Sequence, residues 1–290
     1  MGQAGEHHEV LLEQKYSMRG KVPETSYGIL KRVNASSGKA CLIERVRRQG
    51  FAIYDPGFDQ AKISTLSRCF DTLSRKYYSI HDQALLRSTN EEYIIRAMLS
   101  WSTGDLCDLA LHSGLLDILG SLFDGAFVLH QQNGIINPPG GSYSQGSWHR
   151  DFPYQHFVSD ATFGISALYC VDDFSINNGS TWVLPASHKF SEFPSQNFVN
   201  DEAKQLEVPA GSYLLMDCMM FHSGGINSTK KPRRAINHVY TTPLFKQPIS
   251  LNKGLNRDQF SEREQAILGF QCEQSSDVES YLLMKSRQNS

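Results

Sequence analysis

The sequence lacks the features that mark membrane, secreted and nucleic-acid-binding proteins. No apolar run in its 290 residues reaches the roughly 20 needed to cross a bilayer, and the N-terminus has neither the basic nor the apolar region of a secretory signal. Net charge is −2 and no basic stripe is present, so we expect neither nucleic acid nor a membrane as partner. The six cysteines form no C-x-x-C pair, which indicates reduced thiols in a cytoplasmic protein.

What the sequence does contain is a change from helical spacing to strand alternation. Apolar residues recur at helical intervals after Asp59, whereas beyond Gly125 short alternating segments are separated by Gly, Pro and Asn turns, typical of an antiparallel sandwich or jelly roll. We predict one domain over residues 1–290, with a polar arm at about 1–39, helical support at about 59–123, a β core at about 126–245 and a helical tail at about 258–290.

Three side chains far apart in the sequence predict a metal site. Strand alternation places His149 and Asp151 on one face, and His222 is the best candidate for a third ligand because it precedes a glycine turn. Two imidazoles and one carboxylate form the facial set of non-heme Fe(II) oxygenases. On composition alone His188 or His238 could also serve as the third ligand.

An arginine follows the second histidine at a distance that suits a cosubstrate site. Arg233 lies 11 residues after His222, and two adjacent antiparallel strands would bring it back beside that histidine. A guanidinium presents paired donors that match a carboxylate, such as the far end of 2-oxoglutarate. Arg234 competes for this role, but alternation sends the two arginines to opposite faces, so only one can perform it.

Four segments together resemble the phytanoyl-CoA dioxygenase family of Fe(II)/2-oxoglutarate-dependent oxygenases. They are Gly50-Phe51-Ala52-Ile53; Trp148-His149-Arg150-Asp151; Asn178-Gly179-Ser180-Thr181-Trp182-Val183-Leu184-Pro185-Ala186-Ser187-His188-Lys189; and Phe221-His222-Ser223-Gly224-Gly225-Ile226-Asn227 with Pro232-Arg233-Arg234-Ala235. The resemblance spans about residues 50–242. It implies a mainly β fold with flanking α-helices, built on a double-stranded β-helix (jelly roll) core.

The resemblance also implies the cofactors and the residues that hold them. Fe(2+) would be held by His149, Asp151 and His222, and 2-oxoglutarate by Arg233, with O2 as the oxidant. The implied activity is a dioxygenase that hydroxylates a small molecule and releases succinate and CO2. Related halogenases replace the metal-binding carboxylate by a small residue, so the presence of Asp151 favours hydroxylation. Further cofactor-binding candidates implied by the family's arrangement are Gln132, Thr181 and Trp182.

One position departs from the family pattern. Many relatives carry a hydroxyl residue two positions after the second histidine, where this chain has Gly224 preceded by Ser223. Candidate substrate contacts, chosen because they flank or follow the first metal motif, are Trp148, Tyr154, Gln155 and His156.

Several alternatives stay open at this point. The protein could be a metal-dependent cupin-like enzyme that does not use 2-oxoglutarate, or a non-catalytic binding barrel. The sequence leaves a homodimer open, and it does not identify the substrate.

Overall fold

The strands of the computed structural model form two antiparallel sheets. A six-stranded sheet has the order β1-β7-β4-β9-β3-β2, and a three-stranded sheet has the order β6-β5-β8. The strands are β1 (Phe51–Tyr54), β2 (Ile94–Ile95), β3 (Val128–Asn137), β4 (Gly164–Cys170), β5 (Thr181–Val183), β6 (Lys204–Gln205), β7 (Tyr213–Asp217), β8 (His222–Gly224) and β9 (Arg233–Thr241). This is the predicted double-stranded β-helix with flanking helices.

The structure describes residues 33, 35–101, 104–123, 125–141, 143–152, 158–272 and 275–288. The α-helices in this part of the chain are α1 (Gly38–Gln49), α2 (Gln60–Ile80), α3 (Gln83–Ser88), α4 (Asp105–Ala110), α5 (Ser113–Leu122), α6 (Gln196–Glu202), α7 (Glu262–Ile267) and α8 (Val278–Gln288). Most of the predicted N-terminal arm therefore lies outside the described residues.

Helices cover the face of the larger sheet that is turned away from the metal candidates. Asp59 is the N-cap of helix α2, and its side chain accepts a hydrogen bond from the Lys62 amide. The helix buries the predicted apolar stripe. Two strand tyrosines reach the helical layer, since the Tyr213 hydroxyl donates to the Leu109 carbonyl and the Tyr240 hydroxyl donates to Ala110. These contacts fix the outer face of the sheet, so the inner face is left to form the site.

The region predicted as helical support, residues 59–123, contains a short strand as well as helices. Ile94 and Ile95 form β2 against Ile135 and Gly134 at the edge of the large sheet, because β-branched residues suit a strand and this pair is buried on both sides. Beyond it the chain forms α4 and α5. Two other helices, α1 and α6, lie where the sequence pattern predicted no helix.

The predicted hairpin between His222 and Arg233 is wrong. Strand β7 ends at Asp217, the next residues turn, and His222 begins β8 in the smaller sheet. Arg233 begins β9 in the larger sheet. The two residues therefore approach each other from different sheets, across the interior, and not along a shared edge.

Two predictions from composition can be compared with the described residues. Within the described residues no disulfide joins any of the six cysteines, and Cys107, Cys170 and Cys218 are buried. In the described part of the chain no helix combines the length and the apolar character that crossing a membrane requires.

Candidate active site

The first two metal candidates share one face of a short extended segment that pairs with β8. The His149 amide donates to the His222 carbonyl at 2.9 Å, and the His222 amide donates to the His149 carbonyl at 3.0 Å. This reciprocal pair of backbone bonds brings the two imidazole rings to a centroid distance of 4.4 Å. Asp151 lies two residues after His149, and its Oδ1 is 3.6 Å from His222 Nε2.

Each imidazole is oriented by a backbone carbonyl two residues before it. His149 Nδ1 lies 2.7 Å from the Ser147 oxygen, and His222 Nδ1 lies 3.0 Å from the Met220 oxygen. Because a carbonyl can only accept, both rings carry their proton on Nδ1 and present the Nε2 lone pair to the interior. This is the tautomer and the outer hydrogen bond that a metal-binding histidine requires.

The inner atoms of this cluster are suited to a divalent cation. One ligand atom from each of His149, Asp151 and His222 lies within 4.8 Å of the other two. His149 Nε2 and Asp151 Oδ2 are buried without a hydrogen-bond partner. Burial, and then the neighbouring His222, lower the pKa of His149, which keeps the ring neutral and able to bind a metal. The residues fit a facially bound ion such as Fe(II).

Arg233 lies in the same pocket as a buried cation. Its side chain packs on the ring of Phe174 at 3.9 Å, and its Nη2 donates to the Tyr143 hydroxyl at 3.4 Å. The Nε atom is buried and has no hydrogen-bond partner. Burial lowers the pKa of Arg233, which is the effect of desolvating a charge without a carboxylate beside it. An anion that entered the pocket would supply the missing partner.

Arg234 points to the opposite face, as strand alternation predicts. Its guanidinium bonds Asp172 and Asp71, each at 2.6 Å, on the outside of the sheet. The alternative third ligands are also engaged elsewhere. His188 Nε2 contacts the Arg47 carbonyl, and His238 is fully buried with Nδ1 on the Ala167 carbonyl.

Of the other predicted cofactor residues, Thr181 lies at the pocket and two do not. The pocket is lined by Ile135, Tyr143, Gln145, His149, Asp151, Leu168, Thr181, Met216, His222, Ser223, Gly224, Arg233, Ala235 and Asn237. Trp182 neighbours Thr181 on β5 and so faces the other way. Gln132 faces the helices, where its Nε2 donates to the Leu106 carbonyl at 3.0 Å.

A bulge in β3 explains why Gln132 does not face the pocket. Strand β3 contains a bulge between Leu129 and Gln131, and beyond it the odd-numbered residues face the interior. Ile135 therefore lines the pocket, while Gln132 belongs to the opposite face. Gln132 was predicted to contact the cosubstrate, and in the structure it lies outside the pocket because of this strand geometry.

The predicted substrate contacts fall into two groups. Trp148 is half-buried, its ring is 6.0 Å from that of Phe193, and it is not among the residues that line the pocket. Tyr154, Gln155 and His156 lie outside the described residues.

Sequence reasoning missed three polar residues of the pocket, Tyr143, Gln145 and Asn237. Asn237 could have been found, because it lies four residues after Arg233 on the same strand and therefore on the same face. Tyr143 lies in an irregular segment, where no periodicity indicates the direction of a side chain.

Comparison with known proteins gives a family match over most of the described site. The model of the phytanoyl-CoA dioxygenase family matches residues 46–235. An uncharacterized protein of Mycobacterium tuberculosis is 27% identical over 241 residues, covering 80% of this chain and 87% of its own length. The dioxygenase andF of Emericella variicolor is 26% identical over 156 residues, covering 51% of each chain.

Solved structures share the fold at low sequence identity. EctD from S. alaskensis, crystallised with 2-oxoglutarate and 5-hydroxyectoine, aligns with a TM-score of 0.58 at 17% identity, covering 78% of this chain and 83% of its own. The epimerase SnoN from nogalamycin biosynthesis, in complex with Fe3+ and alpha ketoglutarate, aligns with a TM-score of 0.56 at 16% identity, covering 77% and 93%.

Proposed function

This chain belongs to the phytanoyl-CoA dioxygenase family, and on that premise we propose that it is an Fe(II)/2-oxoglutarate-dependent dioxygenase. Its reaction would hydroxylate an unactivated C–H bond of a small molecule, with release of succinate and CO2. The observation that carries this proposal is the convergence of His149, Asp151 and His222, with both rings oriented to present Nε2.

The chain's own residues would bind and orient the reactants. His149, Asp151 and His222 would hold Fe(II) on one face, and Arg233 would bind the distal carboxylate of 2-oxoglutarate through paired, charge-assisted hydrogen bonds. With O2, the bound iron and 2-oxoglutarate would supply the oxidising power. The apolar side chains of Leu168 and Met216 in the pocket wall would exclude water from this region.

Hydroxylation is favoured over halogenation by the complete ligand set. Asp151 provides a carboxylate oxygen beside His222, so no coordination position is given up to a halide in place of a protein ligand. A metal enzyme that does not use 2-oxoglutarate would have no need of a buried guanidinium such as Arg233 in the pocket. The presence of Arg233 is therefore an argument that the enzyme uses 2-oxoglutarate in addition to a metal.

The proposal is tested by succinate release in the presence of Fe(II), 2-oxoglutarate and O2, with a screen of small molecules for stimulation. His149→Ala and Asp151→Ala should each abolish stimulated succinate formation and weaken Fe(II) binding, because two ligands cannot replace three. Asp71→Asn is the matched control, since this carboxylate is half-exposed on the outside of the fold. Full turnover in either ligand variant would disprove the assignment.

A further inference from the structure

The hydroxyl of Tyr143 lies at the anion-binding end of the pocket. It accepts a hydrogen bond from Arg233 Nη2, and both residues belong to the pocket wall. Since the phenol oxygen accepts from the arginine, its own proton remains to be donated to another acceptor. Burial raises the pKa of Tyr143, with Arg233 opposing the shift, so the phenol stays protonated and able to donate at neutral pH.

Gly224 provides the space that this hydroxyl occupies. A Cβ atom built on Gly224 would lie 1.7 Å from the Tyr143 hydroxyl oxygen and 2.6 Å from its Cζ. The φ angle of Gly224 is not positive, so its backbone conformation by itself would permit a side chain. The tyrosine is therefore the reason that position 224 must be glycine. A tyrosine hydroxyl and a residue-224 side chain are alternative occupants of one place.

Resting on the proposed function, we propose that Tyr143 is a cosubstrate-binding residue that donates its hydroxyl proton to the distal carboxylate of 2-oxoglutarate, beside the guanidinium of Arg233. Gly224 lacks a side chain because the hydroxyl comes from a distant segment of the chain and enters over it. The carboxylate would then meet three fixed donors, two from the arginine and one from the phenol. This assigns a role to Tyr143 and a reason to Gly224 that the metal cluster does not require.

The test measures binding, not turnover. Calorimetry on the Mn(II)-loaded protein would give the Kd for 2-oxoglutarate, and competition would give the Kd for pyruvate, a 2-oxo acid without the second carboxylate. Tyr143→Phe removes only the hydroxyl and should weaken 2-oxoglutarate about tenfold, as expected for one hydrogen bond to a charged group. Pyruvate affinity should change less than twofold, because pyruvate does not reach Tyr143.

Two glycine variants test the shared space. Gly224→Ala should displace the phenol and raise the Kd for 2-oxoglutarate by a similar factor. Gly141→Ala is the matched control, because a Cβ there meets Pro138 at an ordinary 3.5 Å and should leave both Kd values unchanged. In the double variant Tyr143→Ala/Gly224→Ser, the serine hydroxyl enters the vacated place, so it should bind 2-oxoglutarate at least threefold more tightly than Tyr143→Ala.

The outcomes separate this inference from the function on which it rests. If wild-type protein fails to bind 2-oxoglutarate, the proposed function itself fails. If wild-type protein binds 2-oxoglutarate and the Kd of Tyr143→Phe stays within twofold of the wild-type value, Tyr143 does not contact the distal carboxylate. The same conclusion follows if the substitution weakens pyruvate binding as much as it weakens 2-oxoglutarate binding. A Tyr143→Ala/Gly224→Ser variant no tighter than Tyr143→Ala would likewise overturn the claim that one hydroxyl replaces the other.

Discussion

Replacing Arg233 by methionine should weaken cosubstrate binding about a hundredfold without destabilising the free protein. In the free protein Arg233 is 4% exposed, its Nε has no hydrogen-bond partner, and the ion pairs of the described residues do not include it. Its favourable contacts are the Phe174 ring and the Tyr143 hydroxyl. A cation–π contact contributes at most about 2 kcal/mol, which is offset by the cost of desolvating the charge.

The magnitudes follow from these contacts. Two charge-assisted hydrogen bonds to a carboxylate are worth about 3 kcal/mol together, so Arg233→Met should raise the Kd for 2-oxoglutarate about a hundredfold. Wild-type protein at a ligand concentration of about 100 Kd gains about 2.7 kcal/mol, which raises Tm by roughly 5–10 °C in a domain of this size. The variant at the same concentration should show almost none of this increase.

Thermal unfolding of metal-loaded protein, with and without 2-oxoglutarate, is the assay. Arg234→Met is the matched control, because it removes the ion pairs to Asp172 and Asp71 outside the site. It should lower Tm in the absence of ligand yet retain the full ligand-induced increase. If Arg233→Met unfolds more than about 5 °C below wild type without ligand, or keeps the ligand-induced increase, the guanidinium is a structural residue and the reasoning is refuted.

Two further predictions concern residues that lie outside the pocket. Gln132→Met should leave the Kd for 2-oxoglutarate unchanged, as measured by calorimetry. It should lower the free energy of unfolding by about 1 kcal/mol in denaturant, because one buried hydrogen bond to the Leu106 carbonyl is lost. A raised Kd would show that Gln132 does contact the cosubstrate. Burial lowers the pKa of His238 to about 4. As pH falls from about 6.5 to about 4, the unfolded chain binds a proton at this position that the folded chain does not, so His238 should by itself lower the free energy of unfolding by about 3 kcal/mol over this range. His238→Asn should lose correspondingly less, and parallel pH profiles of unfolding would exclude this explanation.

How far the sequence predicts the structure depends on whether a residue lies in a regular strand. Alternation alone predicts that His149 and Asp151 share one face and that Arg233 and Arg234 lie on opposite faces, and the structure has both arrangements. Alternation does not predict which of the two arginines faces the interior. Gln132 could not be placed because one extra residue in β3 exchanges the two faces of the strand. A bulge of this kind leaves no mark in the hydrophobic pattern.

Long-range pairing limits prediction in a second way. The pattern identified strands near His222 and Arg233, but it could not assign them to sheets, since periodicity carries no information on which strands pair. Tyr143 shows the same limit for a side chain. Its contact with Gly224 joins residues 81 positions apart, and only the folded chain brings them together.

The backbone pairing of His149 with His222 has a consequence for metal selection. Because the chain itself holds both rings in place, binding an ion costs little ordering entropy at these two ligands, whichever divalent ion is bound. Discrimination then falls to intrinsic ligand chemistry, in which late first-row divalent ions bind such donors more strongly than ferrous iron does. The ion that occupies the metal site then depends on which divalent ions the surrounding solution supplies, and traces of nickel or cobalt would displace Fe(II).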